Sequence, residues 1–239
     1  DITAQPQNVT NIQNATVELS VTATASKGTL SYQWYSNDTD SNTGGTLITG
    51  AILNSYTAPT SASGIIYYYC VVTNSDNAGL GSAAAVAASK TAKVTVKLSK
   101  IQSSVYTVDT VNGLLTMVSI KTSVAQLKSK LVNDPADIKI FDGTNEYTGD
   151  AVKTGMTVKY YFNDNVIDQL TISVFGDPSG DGEIDINDIL YLRAQIVGTY
   201  TMTACELATS DFNGDSVIDI LDILYIRAHI LGTYTIVAQ

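Results

Sequence analysis

The chain has 239 residues, a formal net charge of −10 and a mean hydropathy of +0.10, with 15% charged residues and four prolines. That length suggests two or three domains. The low charge and the abundance of Thr, Ser, Asn and Tyr point to a secreted, β-rich protein and away from a helical cytosolic enzyme. No apolar run reaches membrane-spanning length. No signal peptide opens the chain, so Asp1 reads as a boundary that leaves room for a preceding region. The two cysteines, Cys70 and Cys205, give no disulfide framework.

Residues 1–97 carry alternating apolar and polar runs such as VELSVTATA and LSYQWYSN, separated by Asn, Asp and Gly turns, which predict strands. Trp34 stands 36 residues before Cys70, and Tyr68 precedes that cysteine by two. The pattern resembles an immunoglobulin-like sandwich, with Trp34 as its core tryptophan and Tyr68 as its tyrosine corner. Val21 stands about where a disulfide partner would lie, so Cys70 is expected to be a buried free thiol.

Residues 98–175 change character. SSVYTVDTVNGLLTMV predicts one or two strands, and SVAQLKSKLV a short helix with Val124, Leu127 and Leu131 on one face. DIKIFDG, MTVKYYFND and QLTISVFG predict further strands, giving a small α+β module. Nine of the thirteen basic residues fall in Lys93–Lys159, but carboxylates are interleaved with them. The expectation is a solvated mixed surface, with no nucleic acid as partner. The stretches TSVAQLKSKL and GDAVKTGMTVKY are similar to an X-module-like spacer.

From Asp177 the chain presents a twelve-residue acidic loop. Asp177, Ser179 and Asp181 supply oxygens at positions 1, 3 and 5, Gly182 permits the turn at 6, and Glu183 offers its backbone carbonyl at 7. Asp185 falls at 9 and Asp188 at 12. This spacing suits calcium, which takes six to eight hard oxygens from a short loop. The pattern returns 34 residues on, with Asp211, Asn213, Asp215, Val217 through its carbonyl, Asp219 and Asp222. Aligned without a gap, 177–200 and 211–234 agree at 16 of 24 positions, which establishes an internal repeat. Residues 176–239 hold eight Asp, two Glu, two Arg and no Lys, a net of −8 whose self-repulsion two divalent cations would halve.

Two loop-then-helix units without entering helices, joined by a short linker, resemble a type I dockerin. The resemblance implies an α-helical region of two calcium loop-helix (F-hand) repeats, 176–239, holding two calcium ions. It also implies a cohesin module as partner and incorporation into the extracellular or cell-surface cellulosome of an anaerobic bacterium. The fold class expected for the whole is multidomain: an all-β immunoglobulin-like sandwich, an α+β module, then the dockerin.

The helices predict two apolar stripes. Ile189, Leu192 and Ile196, with Ile184, suit a buried core. Ile186, Leu190 and Val197, flanking Arg193, form a second ridge that repeats as Ile220, Leu224 and Leu231 with Arg227. A region of this size cannot bury both, so one is expected to remain as a partner surface. The dockerin resemblance assigns partner recognition to Ile186 and Asn187, Ile220 and Leu221, and Arg193, Ala194, Arg227 and Ala228. The matched ridges further predict two symmetry-related binding modes.

No phosphate loop, nucleophile elbow or Cys–His pair is present, and the lone His229 is expected to be a surface residue. No segment is long enough for a glycosidase barrel, so the protein is not expected to be an enzyme. The alternative is a carbohydrate-binding or adhesin protein, with tyrosines of the immunoglobulin-like domain as a glycan platform and the dockerin as its anchor.

Overall fold

The computed structural model describes residues 1–75 and 84–238. Residues 76–83, inside the expected 1–97 domain, and Gln239 lie outside the described residues. The chain divides into two compact units, Asp1–Ser99 and Lys100–Gln239.

The first unit is an immunoglobulin-like, sheet-rich region. Its strands are β1 (Ile2–Ala4), β2 (Val9–Ile12), β3 (Val17–Ser20), β4 (Thr22–Ala23), β5 (Thr29–Asn37), β6 (Thr46–Leu47), β7 (Ser55–Ala58), β8 (Gly64–Ser75), β9 (Ala85–Ala88) and β10 (Ala92–Lys97). The larger sheet runs β2-β10-β8-β5-β6, with β9 also on β8, while β3 pairs with β7 and β1 with β4. Alternation decides which side chains enter the core: Val17 and Leu19 on β3, and Ala92, Val94 and Val96 on β10, are buried while their neighbours are not. Trp34 is fully buried opposite Cys70 and donates its indole N–H to the Leu53 carbonyl (2.9 Å). Cys70 is a free buried thiol packed in one core cluster with Val21, and burial pushes its pKa up to about 11. Tyr68, expected at a tyrosine corner, contributes through ring packing on Tyr56 (5.5 Å), which itself stacks on Trp34 (5.9 Å).

The second unit opens with strands β11 (Thr107–Asp109) and β12 (Leu114–Val118) and helix α1 (Val124–Ser129). Strands β13 (Ile138–Asp142), β14 (Asn145–Glu146), β15 (Thr157–Phe162) and β16 (Asn165–Val174) follow, and the sheet order is β11-β12-β16-β15-β13-β14. Helix α1 starts at a capping box in which Ser123 and Gln126 satisfy each other's backbone N–H groups. Its Leu127, with Leu131 just beyond, is buried, while Val124 remains half-buried. Strand β16 lies centrally, parallel to β12 and antiparallel to β15.

Beyond β16 come helix α2 (Ile186–Ile196), a short α3 (Ala204–Leu207) and α4 (Ile220–Ile230). A small core of Leu192, Met202, Phe212, Ile226 and Ile236 holds them, with Ile184 and Ile189 packed against it. Two sequence expectations change here. Ile196 is 41% exposed, because this core closes around Leu192 and does not reach the last turn of α2. The linker before the second loop contains α3, nucleated by a capping box between Thr203 and Glu206. Helix α3 turns Cys205 onto β16: the Cys205 thiol donates to the Ile172 carbonyl (3.3 Å), and the Ser173 hydroxyl donates to the Cys205 carbonyl (3.0 Å).

Candidate calcium loops and partner face

Both acidic loops fold so that backbone N–H groups grip the carboxylates. In the first, Gly182 N–H donates to Asp177 Oδ1 (3.2 Å), and Ser179 N–H and Asp185 N–H donate to the two oxygens of Asp188 (3.1 and 2.8 Å). In the second, Ser216 N–H donates to Asp211 Oδ2 (2.9 Å), and Phe212 N–H and Asp219 N–H donate to Asp222 (2.8 and 2.9 Å). Asp181 and Asp215 each accept from the N–H two residues on, that of Glu183 (2.9 Å) and Val217 (2.8 Å), which turns the position-7 carbonyls. Asp185 and Asp219 cap helices α2 and α4, each completing a capping box with Asp188 or Asp222. The two loops thus share most of this hydrogen bonding, although Asp188 accepts from the third loop residue and Asp222 from the second, where the first loop has Pro178.

Asp177, Asp188 and Asp222 are 0% exposed. Burial raises the pKa of all three, that of Asp188 to about 6. Burying the ionised form of such a carboxylate is costly, and a cation sharing the site would offset that cost. Among the described ion pairs none brings a Lys or Arg to them. Three buried carboxylates oriented by amides, with no described ion pair to Lys or Arg, fit a calcium-type ion. Ser179, whose hydroxyl lies 3.4 Å from Asp177 Oδ1, and Asn213, whose Oδ1 accepts from Asp215 N–H (3.1 Å), sit at the third position of their loops. Among the described residues no three His, Cys, Asp or Glu side chains meet in one cluster. The loop oxygens are placed in order but not drawn onto one point.

The loops differ at position 6. Gly182 has φ +88°, whereas Ser216 adopts φ +66° with a side chain attached. A residue with Cβ pays about 1 kcal/mol in that region. Ser216→Gly is therefore expected to tighten the second loop roughly fivefold, read by calcium titration. Weaker binding by this variant would contradict the strain argument.

The second apolar ridge faces solvent in both repeats. Ile186 and Ile220 are 58% and 60% exposed, and Leu190 and Leu224 are 53% and 48% exposed, so the copies match. Val197, Leu231, Leu221, Arg193 and Arg227 are also exposed, while Ala194 and Ala228 are half-buried with their carbonyls accepting Thr199 and Thr233 N–H. Asn187 breaks the match: its amide donates to Asp181 (3.1 Å) and Asp185 (3.3 Å), where the second repeat carries apolar Leu221.

Some structural roles escaped the sequence. The Gln195 side-chain oxygen accepts Met202 N–H (2.8 Å), and 34 residues on His229 Nδ1 accepts Ile236 N–H (3.1 Å). The lone histidine thus ties the tail to its helix, a role that its alignment with Gln195 foreshadows. Tyr191 on Tyr200 and Tyr225 on Tyr234 form matching edge-to-face pairs (5.5 and 5.2 Å).

Residues 175–231 match the dockerin type I domain family. No curated protein matches the chain. Among solved structures, the fibronectin(III)-like modules of Clostridium thermocellum CbhA align at 15% identity over 73% of this chain and 93% of that one, with a TM-score of 0.31. A chimeric titin Z1Z2-Z1Z2 tandem aligns at 14% identity over 72% and 96%, with a TM-score of 0.27. Rst D1-D2 aligns at 13% identity over 73% and 97%, with a TM-score of 0.33. The segment 175–231 is thus similar to type I dockerin domains. Among the described residues no helix is long and apolar enough to cross a membrane.

Proposed function

We propose that this protein is an assembly subunit whose dockerin, residues 176–239, takes up two calcium ions and then docks a cohesin to join a cellulosome or related extracellular complex of an anaerobic bacterium. Residues 1–97 and 98–175 serve as display and spacer modules. The calcium ligands are Asp177, Ser179, Asp181, Asp185 and Asp188 with the Glu183 carbonyl, and their counterparts Asp211, Asn213, Asp215, Asp219 and Asp222 with the Val217 carbonyl. The partner face comprises Ile186, Leu190, Arg193 and Val197 and, in the other pose, Ile220, Leu224, Arg227 and Leu231. The observation that carries this reading is the pair of matched, solvent-facing apolar ridges, each rising from its own buried-carboxylate loop. Exposed contiguous apolar surface of this kind favours a protein partner. The glycan alternative gains little from the tyrosines: Tyr69 is buried, stacks on Tyr35 (5.1 Å) and accepts Gly45 N–H (3.1 Å). Calorimetric titration of the full chain against a panel of cohesins tests the proposal. Binding to at least one with calcium and none with chelator is expected, whereas calcium-independent binding or no binding would overturn it.

A further inference from the structure

The module of residues 100–175 touches one calcium loop and stands away from the other. The segment Asp150–Met156 is pinned on both sides: Val152 N–H donates to the Thr122 carbonyl (2.9 Å), and Gly155 N–H donates to the Ile172 carbonyl (2.9 Å). Val152 and Met156 are buried, which fixes the segment further. From that rigid base Thr154 N–H donates to Asp177 Oδ2 (3.1 Å), while Gly182 N–H donates to Oδ1. The Thr154 hydroxyl meanwhile accepts Val174 N–H (3.0 Å) on the strand leading into the loop. The approach leaves little room for a side chain. A Cβ on Gly180 would lie 3.0 Å from the Thr154 carbonyl, and one on Gly182 would lie 3.1 Å from the Lys153 side chain. Lys121 and Glu183 add an exposed ion pair (3.1 Å).

Among the described hydrogen bonds the second loop has no such support. Asp211 accepts only from Gly214, Asp215 and Ser216 among the described hydrogen bonds, all within its own loop. A Cβ on Gly214 would meet nothing within 4 Å. A cleft of about 630 Å³, lined by Met117, Asp211, Asn213 and Ser216 among others, lies there.

We propose that Thr154 is a positioning residue for the first calcium loop: its backbone N–H, held by the module, aims the Asp177 carboxylate at the ion. Residues 100–175 thereby set the affinity of loop one and leave loop two unchanged. This rests on the calcium reading above. Hydrogen-bond partners behind a metal ligand fix its orientation, and losing one commonly weakens binding by about 10- to 100-fold.

The test uses calcium calorimetry on the full chain in two backgrounds, one with loop two disabled (Asp211→Ala with Asp215→Ala) and one with loop one disabled (Asp177→Ala with Asp181→Ala). Thr154→Pro, which removes the N–H, is expected to weaken loop one by about tenfold or more and to leave loop two unaltered. Thr154→Ser, which keeps both donor and hydroxyl, should bind like the parent. A folded Thr154→Pro protein whose loop-one affinity stays within about twofold of the parent, or whose two loops weaken equally, overturns the proposal. Should that variant misfold, hydrogen exchange on the unmodified chain decides: the Thr154 amide is expected to exchange about tenfold more slowly with calcium than with chelator, and an unchanged rate overturns the proposal. Absence of calcium binding in both backgrounds, before Thr154 is altered, would instead defeat the calcium reading itself.

Discussion

Chelating calcium is expected to open residues 176–238 to proteolysis while residues 1–75 stay resistant. The driving force is the charge of a segment with eight Asp and two Glu against two Arg, in which three carboxylates are fully buried. An ion held at a thousandfold excess over its dissociation constant stabilises the folded form by about 4 kcal/mol per site, so two sites supply about 8 kcal/mol. That is comparable to the total stability of a typical domain. Limited proteolysis with mass spectrometry, in calcium and in chelator, gives the reading. Equal resistance of the C-terminal segment in both conditions would show that its fold is not coupled to the ion.

Disabling both apolar ridges together is expected to abolish cohesin binding, whereas disabling either alone leaves it measurable. The variants are Ile186→Asp with Leu190→Asp, Ile220→Asp with Leu224→Asp, and the four combined. On the proposed two-pose reading, rotating the repeat by about half a turn would bring one ridge to the place of the other, so a partner that reads one would read its copy. If the poses were equal, losing one would halve the affinity, about 0.4 kcal/mol. Asn187 is expected to make them unequal. Its amide is already engaged with Asp181 and Asp185, whereas Leu221 is bare and 46% exposed. Burying the polar residue against a partner is disfavoured by about 1–2 kcal/mol, so the two double variants should differ by roughly 5- to 30-fold. Loss of all binding in one double variant alone would rule out two poses.

The loops and helices were legible because repetition exposes them: matched Asp positions, a shared Arg-Ala pair and a Gly-Thr-Tyr ending recur at a fixed spacing of 34. Periodicity fails at Ile196, where a small core simply ends before the helix does. Helix α3 does leave a local mark, since Thr203 and Glu206 have the spacing of a capping box. Helical length is the reason it escaped, as four residues carry no hydrophobic period. Least visible was the hold of the module on the first loop, which depends on a backbone N–H. Every residue but proline has one, so the letter T at position 154 says nothing about where that donor points. The parallel pairing of β12 with β16 was hidden for a related reason: partners distant in the chain leave no local mark.

Strand β16 has a mechanical meaning. It runs directly into Phe175 and the first loop, and it is hydrogen-bonded to β12 on one flank and β15 on the other. Under the proposed docking, tension arriving from the C-terminal segment would enter at the end of a strand gripped on both sides. A pull along that strand would load its ladder bonds in shear, many at once, instead of unzipping them singly from an edge. A tether built in this way resists a steady pull more than its thermodynamic stability alone would indicate, because rupture requires the ladder to fail as a unit.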